Sequence, residues 1–224
     1  ALVENDDNPA LRIMEKVIER RNINNPEKGT AFTYTTYNKL VLTAAIDSAL
    51  LAQPEKIQDL DSSSQELIAF FEDKYLFLTE SVTERSFVPP DRSNERVLAS
   101  RVSGLQESDF TLLASQLQSF SFYKKEVSIL GNVYLSPIAP VAPKEYVYTL
   151  ADTLFTGQDS VFLISFQPSV NSGAGGLKGL LHVNSGDYAL RNVIAEPTKE
   201  VGGMEIEIRQ RYEQIEEGKW FPVQ

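Results

Sequence analysis

Cysteine is absent from the 224 residues, and histidine and tryptophan occur once each. Without thiols there is no cysteine nucleophile, no cysteine-based zinc site and no disulfide. That absence fixes no compartment, because a chain of this size buries roughly 70% of its unfolded surface and needs no covalent staple. A lone histidine cannot build a histidine-based zinc site, and only carboxylates remain to help it. Basic side chains are also scarce, 21 against 31 acidic ones, for a net charge of −10. Nucleic acid and anionic membrane surfaces both require a basic footprint, so neither is expected as a generic partner. No apolar run approaches the roughly 20 residues of a membrane helix, and stretches such as Val161 to Ile164 are strand-sized. The serine hydrolase elbow Gly-x-Ser-x-Gly is missing. The glycine-rich Ser172 to Gly179 lacks a Gly-Lys-Ser/Thr ending and leads into strand composition, so it offers no helix N-terminus to a phosphate.

What is present suits a globular α+β chain, with 42% hydrophobic and 10% aromatic residues. Residues 1–224 read as a single domain excised from a longer chain. Ala1 to Asn8 serve as a linker, having neither the basic nor the apolar region of a signal peptide. Asn8-Pro9 predicts a helix start, and Leu11, Met14 and Ile18, with Ala10 and Val17 beside them, form its apolar stripe. Asn22 to Gly29 breaks that helix. Ala31 to Ala45 reads as a long strand, bulged near Asn38. Pro54 to Ser64 reads as a surface loop, and a capping-box spacing from Ser63 to Glu66 opens a short helix through Leu67 to Phe71. Residues 53–84 carry eight acidic and two basic side chains, a solvated acidic surface. Tyr75 to Phe87 and Val97 to Val102 read as paired strands around Pro89-Pro90-Asp91. Ser108 caps a further helix bearing Phe110, Leu113 and Leu117. Lys124 to Pro143 reads as an irregular crossing, broken by Gly131 and three prolines.

After Tyr146 the composition is almost purely β. The runs Tyr146 to Phe155, Ser160 to Phe166, Leu177 to Val183, Tyr188 to Ala195 and Met204 to Ile215 are separated by turn residues at short spacing, which predicts consecutive antiparallel hairpins. In the last run Ile206, Ile208 and Tyr212 alternate with Glu207, Arg209, Arg211 and Glu213. The run at Val161 to Phe166 is apolar on both faces, Val161 and Leu163 on one, Phe162, Ile164 and Phe166 on the other. A strand with one wet face should alternate, so cover on both sides is expected there. One cover is helical; the other is curled sheet, loop or a bound apolar molecule. Candidate residues for an apolar pocket are Tyr148, Phe162, Ile164, Phe166, Leu181 and Trp220.

Other chemistry is weighed against plain structure. His182 is offset by one from Leu181 and Val183 and so faces away from them, where a structural role outweighs a proton shuttle without an identified partner. Asp152 inside a strand is expected at an edge or in a structural hydrogen bond. Phe120 to Tyr123 and Trp220-Phe221 read as core rather than stacking platforms. No catalytic or metal-binding residue is assigned, and no cofactor is implied.

Several stretches carry a family resemblance: Tyr75-Leu76-Phe77-Leu78-Thr79-Glu80-Ser81, Ala99 to Leu105, Leu135-Ser136-Pro137-Ile138, Gly179-Leu180-Leu181-His182-Val183-Asn184, and Arg211-Tyr212-Glu213 through Trp220-Phe221-Pro222. The chain resembles the central region of Gram-negative outer-membrane proteins of unassigned function, which begin with a carboxypeptidase-regulatory-like β-domain and end in a barrel like those of TonB-linked receptors. Its last third is also similar to the lipoprotein-carrier fold, an open half-barrel around an apolar cavity plugged by helices. The fold implied is α+β, a large curled antiparallel sheet with an N-terminal helix and one or two further helices on its concave face; a two-sheet sandwich is the alternative. The resemblance implies a non-catalytic, periplasmic or outer-membrane-associated domain that is not itself membrane-spanning. Its expected partners are a lipid or other apolar ligand and an envelope protein. A structural or protein-interaction module with a filled core stands as the alternative, and a carboxylate-based hydrolase third.

Overall fold

The computed structural model describes residues 8–42, 55, 58–59, 61–62, 77–104, 121–129, 131–156, 159–170, 175–199, 206–216 and 218–223. The expected helices at 67–71 and from Ser108, most of the 54–64 loop and the 1–7 linker lie outside them.

Helix α1 (Pro9–Asn24) starts where the sequence says, with Asn8 Oδ1 accepting from Ala10 N at 3.0 Å. It runs through Asn22, which was expected to end it, because Arg20 and Asn24 gain partners on the sheet described below. Its stripe centres on Ala10, Met14 and Val17, all fully buried. Asn25 closes the helix and caps a one-turn 3-10 helix, Pro26–Lys28.

Among the described residues three antiparallel sheets follow, so the fold is α+β. The first joins β1 (Phe32–Leu42), β2 (Phe77–Val88) and β3 (Arg92–Gly104). Asn38 pairs in register with Ser81, so the bulge expected there is absent; the irregularity instead separates Val82 and Thr83 in the β2–β3 pairing. Phe32 stacks on Phe87 at 5.3 Å and meets Phe221 edge-on at 5.2 Å. Arg85 is buried and reaches Glu27 at 2.5 Å.

The second sheet is six strands in the order β11-β10-β9-β8-β7-β6, made of β6 (Tyr146–Thr156), β7 (Asp159–Pro168), β8 (Leu177–Asn184), β9 (Leu190–Pro197), β10 (Ile208–Glu216) and β11 (Lys219–Pro222). Every neighbour in space is a neighbour in sequence, as the short turn spacings predict. The sheet is open, with β6 and β11 at its edges. Strand β10 begins at Ile208, with Ile206 and Glu207 outside it and Met204 outside the described residues, and the Trp220 segment forms a strand of its own.

The crossing before β6 is more regular than its prolines suggest. Strands β4 (Glu126–Ile129) and β5 (Asn132–Leu135) form a hairpin, with Gly131 at φ +79° in its turn, and α2 (Ala142–Glu145) adds one helical turn. The expectation of an irregular crossing is thus corrected: Val127 and Ile129 are buried while Glu126 and Ser128 are exposed, the alternation of a half-buried strand.

This crossing and α1 cover one face of the six-stranded sheet. Met14, Val17, Phe122, Tyr123, Val127 and Ile138 form one core with Tyr148, Ile164, Phe166, Leu181 and Val193. Tyrosine and serine hydroxyls satisfy the backbone there. Tyr123 OH accepts from Leu190 N at 2.9 Å, Tyr148 OH donates to Pro137 O at 2.6 Å, Tyr146 OH donates to Leu135 O at 2.7 Å, and Ser136 Oγ donates to Phe122 O at 2.6 Å. A second knot forms at the β8–β9 turn. The Asp187 carbonyl accepts from Arg20 Nε and Asn24 Nδ2, while its carboxylate accepts from Asn184 Nδ2, Ala189 N and Trp220 Nε1.

Gly179 shows how tightly β8 and β9 approach: a Cβ there would lie 2.0 Å from Ile194 O and 2.9 Å from Ala195 Cα. Backbone atoms cannot step aside as a flexible side chain would. Gly179→Ala is therefore expected to lower unfolding free energy by about 2–3 kcal/mol in urea titration, and an unchanged midpoint would contradict this packing.

Candidate functional site

The six residues expected to line an apolar pocket are scattered over β6, β7, β8 and β11. Tyr148, Ile164, Phe166 and Leu181 sit on the covered face, each at most 2% exposed, and Phe162 is half-buried against the same core. They meet one another and the chain's own side chains. Trp220 stands at the far edge strand, where its indole N–H is held by Asp187 Oδ2 at 2.6 Å. The structure thus brings the first five together on β6 to β8 and places Trp220 in the same core at its far edge, 5% exposed.

The tyrosines of this core are fixed as neutral hydrogen-bonding groups. Burial pushes the Tyr148 hydroxyl up, with Tyr146 adding to it, and burial likewise raises Tyr123 and Tyr212. Phenols so disposed stay protonated at neutral pH and hold the backbone; they offer no base. Asp152, on the edge strand β6, is exposed and its Oδ1 accepts from Thr153 N at 2.7 Å, the structural bond expected of it. No group of three or more His, Cys, Asp or Glu among the described residues is placed to hold a metal ion.

The opposite face of the same sheet is different. Val161 is 5% exposed there, but Leu163, Leu180 and Ile194 are only half-buried and Leu154 is 43% exposed. The two-sided apolar strand therefore has a dense cover on one side and a partial one on the other. A groove of about 540 Å³ opens on this second face, lined by Leu154, Val161, His182, Arg191, Asn192, Arg209, Arg211, Tyr212 and Glu213. A neighbouring one of about 510 Å³ shares Arg191, Tyr212 and Glu213 and reaches Trp220.

Local pairing explains why these side chains converge. His182 pairs with Asn192, and Asn192 with Arg211, so all three project from one face. Val183 pairs with Leu190, which leaves Arg191 as the extra residue of a β-bulge. Arg209 is bonded to Glu207 at 2.6 Å and Arg211 to Glu213 at 3.1 Å. Arg191 has no ion-pair or hydrogen-bond partner among the described residues. His182 Nε2 is enclosed and lacks a hydrogen-bond partner, and burial first, then the Arg191 charge, lowers the pKa of the ring.

Sequence reasoning placed His182 on the face away from Leu181 and Val183, and that is where it lies; it missed the arginines around it. The alternation of Arg209 and Arg211 was visible, but their meeting with Arg191 depends on a bulge that no single-strand pattern announces.

Geometry and surface define an antiparallel α+β domain with a filled core on one side of its larger sheet and a cationic groove on the other. The chain belongs to a family of unknown function (DUF5686), which matches residues 13–224. Neither the curated proteins nor the solved structures contain a match to it.

The His182 environment has a measurable sign. Its folded pKa lies below the ordinary value, so the folded state binds this proton less readily than the unfolded one, and stability falls as pH drops through the ordinary histidine range. An NMR titration of the single imidazole should show that depressed midpoint, moving upward in Arg191→Gln because one of its two causes is removed. An unmoved midpoint would separate the two residues electrostatically.

Proposed function

We propose that this chain is a non-catalytic domain of the cell envelope that recognises its ligand or partner on the open face of its six-stranded sheet. The filled core carries this reading. The interior apolar side chains are occupied with one another, and the buried hydroxyls close their bonds within the chain. Support for the envelope setting comes from the resemblance at Gly179 to Asn184 and at Arg211 through Pro222 to the central region of Gram-negative outer-membrane proteins. In this proposal the sheet curls as in a lipoprotein-carrier half-barrel, with α1 and the 121–145 crossing lying where such a carrier keeps its apolar cargo. No described helix is long and apolar enough to cross a membrane.

Two measurements test this. Titration with the neutral apolar dye Nile red is expected to show no saturable binding to the native fold, since the described core side chains pack against one another; stoichiometric, saturable binding would return the apolar-ligand reading to the core. Fractionation of cells that make the full protein should recover it with the envelope, and a cytosolic pool would remove the setting.

A further inference from the structure

The open face holds a combination that the fold does not require. The chain carries ten excess negative charges, yet the larger groove is lined by three arginines against one glutamate. Two of those arginines are spoken for, by Glu207 and Glu213. The third, Arg191, stands on a bulge beside His182, and neither it nor the enclosed His182 Nε2 has a partner among the described residues. In a partly desolvated groove the unpaired guanidinium disfavours a proton on the neighbouring imidazole, and hydrogen-bonding capacity is left unused. An oxyanion on Arg191 would meet a planar fork of donors matched to carboxylate or phosphate, and its charge would offset the guanidinium's effect on the neighbouring His182 ring. A bulge is also the usual means by which a sheet re-aims a side chain towards a binding site.

The groove is not uniformly polar. Val161 and Leu154 form an apolar wall on neighbouring strands, paired directly across β6 and β7, and the 540 Å³ volume is in the range of small-molecule sites. A free inorganic anion would leave that wall unused.

We infer that the groove is a binding site for the anionic head of an amphiphile, with Arg191 holding a phosphate or carboxylate group beside the His182 ring and Leu154 and Val161 receiving the first part of an apolar tail. This rests on the proposed open-face reading and names the chemistry of its ligand. Arg191 is the anchor, because binding does not have to break an existing ion pair to engage it. Arg209 and Arg211 contribute field rather than direct contact.

Decyl phosphate, decanol and inorganic phosphate distinguish the possible sources, with binding followed by calorimetry and by NMR shifts of the His182 ring. Decyl phosphate is expected to bind saturably and to move the His182 signals in the unaltered protein, a readout that needs no variant. Decanol and inorganic phosphate should each bind at least about tenfold more weakly. Arg191→Gln should weaken decyl phosphate about tenfold or more, the scale of a lost charge-assisted hydrogen bond. Arg191→Lys should keep part of the affinity, and Arg209→Gln, whose arginine is already paired, should change it by less than about threefold. Decyl phosphate binding that leaves the His182 signals unmoved, or that ignores Arg191→Gln, would overturn the site. Inorganic phosphate binding as tightly as decyl phosphate would overturn the amphiphile and identify a free anion as the ligand. If decyl phosphate fails while Nile red also finds no interior site, the inference falls and the open-face reading survives. If Nile red binds in the core and decyl phosphate still depends on Arg191, the reverse holds.

Discussion

The hydrogen bonds from buried tyrosines to the crossing segment are the constraint on which the architecture depends. Residues 121–145 bring a hairpin, a turn of helix and several prolines across a sheet whose facing side chains are apolar. Such a segment has backbone groups that neither helix nor sheet can satisfy, and each left unpaired in the interior would cost about 1–3 kcal/mol. Tyr146, Tyr148 and Tyr123 resolve this by reaching from one layer into the other: two hydroxyls donate to carbonyls of the crossing, and the third accepts the amide of Leu190 on β9. The aromatic rings fill volume while their hydroxyls satisfy polar atoms, and Tyr123 packs edge-on against Tyr212 at 5.4 Å. Burial holds these phenols neutral, which keeps the donors in place across ordinary pH.

Closure of one face directs attention to the other. With the described interior apolar side chains packed against the crossing and α1, the far side of the same strands is a surface that retains unsatisfied chemistry. There a bulge in β9 adds Arg191 to a face already bearing His182, Asn192 and Arg211. The sheet thus separates two kinds of work, with apolar packing behind and charge recognition in front. Asp187 stands at the boundary, joining the end of α1, the β8–β9 turn and Trp220 of β11, so the helix and the edge strand share one anchor.

Much of the fold was legible because it is local. Asn8-Pro9 announces its cap, and the turn compositions after Tyr146 announce a meander in which sequence neighbours are spatial neighbours. His182 was assigned its face by parity alone. What stayed hidden depends on distant partners. The hairpin from Glu126 to Leu135 was masked by the breakers around it, although Val127 and Ile129 carry its alternation. Arg20 and Asn24 extend α1 because Asp187, more than 160 positions away, accepts from both. The pocket candidates were chosen for apolar character, a property shared by ligand cavities and by ordinary cores; here the remaining volume is occupied by Met14, Val17 and Ile138, which only the tertiary structure reveals. Trp220 looked like pocket lining for the same reason, and its indole N–H instead closes the Asp187 knot.

The central claim is that the crossing segment is locked onto the sheet as one cooperative unit, and the exchange of the Leu190 amide tests it most directly. That N–H donates to the Tyr123 hydroxyl, so its protection reports on the lock. Native-state hydrogen exchange in graded denaturant should place Leu190 on the same global-unfolding isotherm as the central strands β7 and β8. Exchange of Leu190 through a low-energy local opening, while those strands stay protected, would show that the crossing lifts away and that the interior face is not closed.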